Sequence, residues 1–179
     1  MRKWVFTLVL AAATLGAGGA QAHGPVRQKI TLEIKLDATP DEVWAVIGNF
    51  QDMSWLPPVA KTEGEGGNVP EATRVLTLNA PGDPKIVELL DKYSAEKRSY
   101  SYRITEVDVA VLPVTNYSSH ITVKDDGGKA LVEWRGAFYR GYPNNDPPEN
   151  LNDAAAIAAV TGVYQTGLDA LAARFGKRE

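Results

Sequence analysis

The chain has 179 residues, 44% of them hydrophobic, which suits a single domain with one sizeable core. With 22 acidic against 19 basic residues its net charge is −3, the wrong sign for a nucleic-acid binder. It has no Cys, which excludes disulfides, thiolate metal sites and Cys nucleophiles.

At the start, Arg2 and Lys3 precede the apolar run WVFTLVLAAATL, and a small-residue stretch ends in Ala20-Gln21-Ala22. This three-part pattern predicts a cleavable secretory signal over residues 1–22, too short in its apolar part to span a bilayer. The domain then runs over residues 23–179, exported, with 17 basic against 22 acidic residues and a net charge of −5. No second segment is apolar enough to cross a membrane.

The run KITLEIKLD alternates, with Ile30, Leu32, Ile34 and Leu36 on one face, and predicts a half-buried strand. ATPDEVWAVIGNF follows with Thr39 as N-cap, Pro40 at the first helical position and Glu42 at the third, a short capped helix with an apolar stripe of Val43, Trp44, Val46 and Ile47. The next connection, GNFQDMSWLPPV, is unusually apolar. From residue 60 to 139 six short strands are predicted, at about 60–65, 73–79, 85–93, 99–107, 115–125 and 130–139, separated by the turns EGGN, NAPGDP and DDGGK. The last stretch carries Ile157, Val160, Tyr164, Leu168, Leu171 and Phe175 at spacings of 3 or 4, a long amphipathic helix.

A strand, a short helical segment, six strands and a long helix are satisfied by an α+β fold in which a curved seven-stranded antiparallel sheet grips the C-terminal helix and leaves a cavity. DEVWAVIGNFQDMSWLPPV, RSYSYRI, LPVTNYSSHITV, VEWRGAFY and GVYQTGLDALAARF, in that order, resemble the START-like (Bet v 1-like, SRPBCC) superfamily, especially its polyketide cyclase/dehydrase branch. The resemblance implies a helix-grip fold with two short helices after the first strand. It also makes the GNFQDMSWLPPV segment part of the cavity mouth. Trp55, Pro57 and Pro58 are then a rim or lid, the alternative being that Trp55 plugs the end of the core.

Alternation puts Tyr100, Tyr102 and Ile104 on one face of their strand. A DDGG hairpin with paired positions summing to 253 sets Ile121 opposite Val132, Ser119 opposite Trp134 and His120 opposite Glu133. Tyr117, Ser119, Ile121, Val132, Trp134 and Phe138 then face inward. These aromatics either line a cavity or fill a closed core. The plant abscisic-acid receptors, in the same superfamily, bind ligand with a cavity Lys, a cavity Glu and an NY-x-S strand. Matching VAKTEG, VELLDKY and NYSS implies those roles for Lys61, Glu88, Tyr117 and Ser119, with Tyr164 on the gripped helix. Their gate loop corresponds to NAPGDP, with Pro81 and Gly82.

For chemistry the chain offers two His and no Gly-rich phosphate loop. His120 is predicted outside, which argues against a Ser-His-Asp triad. Glu88 as a general acid or base of a cyclase or dehydratase is one alternative. Copper held by His23 at the new N-terminus is another. A closer resemblance comes from AHGP, LPVTNYSS, WRGAFYRGYPNNDPP and TGVYQTGLDAL, which are similar to the MxaD-type accessory proteins of methylotrophic bacteria. It implies a periplasmic protein that promotes the interaction between a quinoprotein methanol dehydrogenase and its cytochrome c, with no cofactor of its own. Its partner surface is expected at Arg135, Tyr139, Arg140, Tyr142, Asn144 and Asn145, Tyr and Arg being the side chains that most often supply binding energy.

Overall fold

The structure, a computed structural model, describes residues 24–179. The signal reading for residues 1–22 and the copper reading at His23 fall outside the described residues.

Alternation lays β1 down over Gln28–Leu36, with Ile34 and Leu36 buried. The chain turns into α1, Pro40–Ile47, through a capping box: Thr39 accepts from the Glu42 amide while the Glu42 carboxylate accepts from the Thr39 amide. Such a cap contributes about 1 kcal/mol. The six further strands are β2 (Val59–Glu65), β3 (Thr73–Leu78), β4 (Lys85–Ser94), β5 (Ser99–Val107), β6 (Val114–Asp126) and β7 (Lys129–Arg140). All pair antiparallel in the order β1-β7-β6-β5-β4-β3-β2, so the first strand closes on the last.

A single 3₁₀ turn, Glu149–Leu151, leads into α2, Asp153–Phe175, whose N-cap Asn152 accepts from the Ala155 amide. α2 lies against β1 and β7, and its buried face is Ala156, Val160, Tyr164, Gly167, Leu168 and Leu171. Ile157, expected in that stripe, is exposed, and the smaller Ala156 holds the buried place beside Val160. The tail then returns along β1, where Arg178 donates its amide to the Lys35 carbonyl. The result is the helix-grip architecture.

Two expectations are corrected. No second short helix follows α1. The segment 49–59 is a run of turns: Asp52 donates to the Asn49 carbonyl, Leu56 to Met53 and Val59 to Leu56, while the Asn49 and Asp52 side chains cap the Gln51 and Ser54 amides. Local Asx bonds compete with helix, and Pro57 and Pro58 bring no amide hydrogen to one. The β6–β7 register also differs. Gly127 and Gly128, with φ of 68° and 83°, occupy both central turn positions, where positive φ is required, so Asp126 pairs with Lys129. The register slips by two residues: Ile121 faces Trp134, Val123 faces Val132, and His120 faces Arg135. A slip of two keeps Ser119, Ile121, Val132 and Trp134 on their predicted inner face.

Candidate functional site: an internal cavity with a buried ion pair

A cavity of about 90 Å³ lies between the sheet and α2. Its apolar wall comes from Met53, Leu56, Leu76, Ile86, Leu112 and Val163, and its polar groups from Glu88, Tyr102 and Tyr117. Trp134 and Pro58, both singled out from the sequence, line it too.

Glu88 is buried, and its partner is a residue the sequence reading did not single out. Arg74 on β3, the neighbouring strand, lies directly opposite it. Its Nε donates to Glu88 Oε2 at 2.6 Å and its Nη1 to the Phe50 carbonyl at 2.7 Å. The guanidinium sits over the rings of Phe50 and Tyr102, 4.1 and 4.9 Å from their centroids. Removal from water pushes the Glu88 carboxyl up, with Arg74 pulling against it, while Glu88 helps hold Arg74 protonated. The signal was in TRVLTL, whose alternation sets Arg74 on the same face as Leu76 and Leu78. A charge on an apolar face calls for a buried counter-charge.

Behind the cavity a hydrogen-bond chain runs from β6 to α2. Ser119 Oγ lies 2.9 Å from the Arg135 carbonyl, 2.9 Å from Trp134 Nε1 and 3.0 Å from Tyr164 Oη. A hydroxyl has one hydrogen, and the carbonyl can only accept, so the Ser119 proton goes there. Tyr164 therefore donates to Ser119, and Tyr117, 2.7 Å from Tyr164, donates to Tyr164. Gly136 makes room for this, because a Cβ there would overlap the Tyr164 hydroxyl. Burial pushes the Tyr102, Tyr117 and Tyr164 phenols well up, and Tyr100 to about 12, so all four are neutral hydroxyls at physiological pH.

Of the residues expected to bind ligand, Glu88, Tyr102, Tyr117 and Trp134 reach the cavity. Ser119 and Tyr164 stand behind it in the hydrogen-bond chain. Tyr100 and Phe138 pack among other rings, Tyr100 against Phe50 and Phe138 stacked on Tyr117. Lys61 is outside. A bulge between Val59 and Lys61 reverses the alternation of β2, and Lys61 pairs with Glu63 at 2.8 Å on the surface.

At the mouth, Trp55 is buried against Trp134, ring centroids 5.4 Å apart, and plugs the core end. Pro57, Pro81 and Gly82 are exposed, and the Asn79 amide ties the β3–β4 loop to the Pro58 carbonyl.

The outer face of the sheet carries the expected partner residues, with one correction. Arg135 is exposed and Tyr139 half-buried on β7, while Asn144 and Asn145 are exposed and Tyr142 half-buried in the following loop. Arg140 points inward, on the same strand face as Trp134 and Phe138. It donates to the Tyr142 and Asn144 carbonyls and to the Asp153 carboxylate, and so pins the loop to α2. Arg135 borders an open groove of about 690 Å³ whose lining includes Lys29, Lys92, Ser101, Ser118 and His120. A bulge between Leu90 and Lys92 turns Lys92 to this outer face.

The sequence profile described as polyketide cyclase/dehydrase and lipid transport matches residues 27–176. The chain belongs to that family. Among solved structures it is similar to the protein XoxI from Bacillus cereus, at 32% identity, with 82% of this chain and 94% of that one covered and a TM-score of 0.68. It shares its fold with an aromatase/cyclase from a Streptomyces species (16% identity, 83% and 93% covered, TM-score 0.65). Norcoclaurine synthase from Thalictrum flavum shares it too (18%, 83% and 93%, TM-score 0.59). No curated protein matches the sequence significantly. The fold is thus START-like, and the family is one in which cyclases and dehydrases occur.

Proposed function

We propose that this protein is a periplasmic accessory factor of methanol oxidation, which promotes the interaction or electron transfer between a quinoprotein methanol dehydrogenase and its cytochrome c and holds a small ligand in its cavity. The observation that carries the reading is the 32% identity to XoxI over 82% of the chain, joined to the MxaD-type motifs LPVTNYSS and WRGAFYRGYPNNDPP. Without Cys the chain has no CxxCH for covalent haem, which suits a factor that assists electron transfer without carrying electrons. The contact surface in this reading is Arg135 and Tyr139 with Asn144 and Asn145, and Arg140 holds the loop in shape. Lys29, Lys92 and Arg135 outnumber the acidic groups beside them, Asp91 in the groove lining and Glu133 paired with Arg135 at 3.0 Å, so charge steers the encounter along with shape. Co-purification from the native periplasm tests the reading: recovery of the dehydrogenase or its cytochrome is expected, and recovery of neither contradicts it.

A second reading is favoured by one observation, the burial and upward-pushed carboxyl of Glu88 at the cavity wall. A group so placed suits general acid or base work in a cyclase or dehydratase. Turnover lost in Glu88→Gln with binding retained would favour that reading.

A further inference from the structure

The hydrogen-bond bookkeeping of the cavity restricts what it can hold. Glu88 gives Oε2 to Arg74, and its Oε1 takes no hydrogen bond among the described residues. Tyr117 spends its only proton on Tyr164, so its oxygen can offer the cavity nothing but lone pairs. Tyr102 lines the same space, and its hydroxyl has no hydrogen-bond partner among the described residues. The cavity therefore presents two acceptors and one hydroxyl in an otherwise apolar wall.

Charge restricts it further. Arg74 and Glu88 neutralise each other, so an ion of either sign would enter an apolar site without a counter-charge. Lys61, which would have matched an acidic ligand, stands on the surface. Size sets the last limit. A dry cavity of about 150 Å³ takes benzene, so the 90 Å³ here suits about four non-hydrogen atoms.

From these three limits we infer that the cavity takes a small neutral alcohol, its hydroxyl donating to Glu88 or Tyr117 and its short alkyl part against Leu76, Ile86 and Leu112. This rests on the reading that the cavity holds a ligand. A ligand of that size binds no tighter than about tens of micromolar.

Four compounds of one shape test it: 2-propanol, acetone, acetate and isopropylammonium. They have the same number of heavy atoms, and among them only 2-propanol is neutral with a hydrogen to donate. The measurement is an amide and indole NMR titration of the folded protein, following the Tyr102, Tyr117 and Trp134 signals. 2-Propanol should saturate at millimolar concentration, and each of the other three should bind at least tenfold more weakly: acetone and acetate leave the acceptors unpaired, and acetate and isopropylammonium bring a charge with no counter-charge. Acetone, acetate or isopropylammonium binding as tightly as 2-propanol would overturn the assignment while leaving the cavity reading in place. No saturable shift with any of the four would overturn both.

Discussion

Arg74 on β3 donates to Glu88 on β4 at 2.6 Å with both side chains out of water, and Phe50 and Tyr102 cover the guanidinium. Removing one partner leaves the other charged and buried. Glu88→Gln should therefore cost about 3–5 kcal/mol. Replacing both, as in Arg74→Met with Glu88→Leu, should cost less than the single change. Denaturant midpoints of Glu88→Gln, of Arg74→Met and Glu88→Leu singly, and of the double variant check this, and a double variant as unstable as the sum of its two single changes would show that the pair does not act as a unit.

Gly136 and Tyr164 are coupled through space rather than sequence. Gly136→Ala puts a methyl group where the Tyr164 hydroxyl lies and should destabilise by about 1–3 kcal/mol. Tyr164→Phe removes the obstructing oxygen. In a double-mutant cycle the alanine should then cost clearly less in the phenylalanine background, and equal costs would contradict the packing described here.

Arg140 and Arg135 lie on the same strand with opposite tasks. Arg140→Ala breaks bonds to Tyr142, Asn144 and Asp153 and should lower stability by about 2–3 kcal/mol. Arg135→Ala, on the exposed face, should stay within about 0.5 kcal/mol of the parent. Thermal unfolding of the two variants separates anchor from surface residue.

His120 faces the outer groove half-buried, and both its burial and the cations Arg135, Lys124 and Lys92 push its pKa below the usual 6.5, against the pull of Glu133. With the folded pKa depressed, the unfolded state binds more protons just below pH 6.5, so stability should rise with pH through that window. His120→Gln should flatten that slope. An NMR titration of the ring reads the value directly, and a midpoint above 6.5 would contradict the arrangement of charges.

Much of the fold was legible because alternation of period two survives in most strands, and because Thr39, Pro40 and Glu42 spell out a helix start. What failed did so at irregularities. The bulge before Lys61 reverses inside and outside within a run whose composition gives no warning. The Gly127-Gly128 turn moved the register by two, and only even parity saved the facing of Trp134 and Ser119. Two misses were readable. Arg74 shares parity with Leu76 and Leu78, and Arg140 with Trp134 and Phe138, so alternation already turned both inward. Their partners were not readable, since Glu88 and Asp153 are brought to them by the fold.

The central claim is assistance to a quinoprotein dehydrogenase. It is tested most directly by the rate of dye-free electron transfer from methanol dehydrogenase to its cytochrome c, with and without this protein, at low and moderate salt. The account predicts stimulation by the parent protein, strongest at low salt, and weakened stimulation by the Arg135→Ala, Tyr139→Ala double variant at unchanged thermal midpoint. An unchanged rate with the parent protein at both salt concentrations would contradict it.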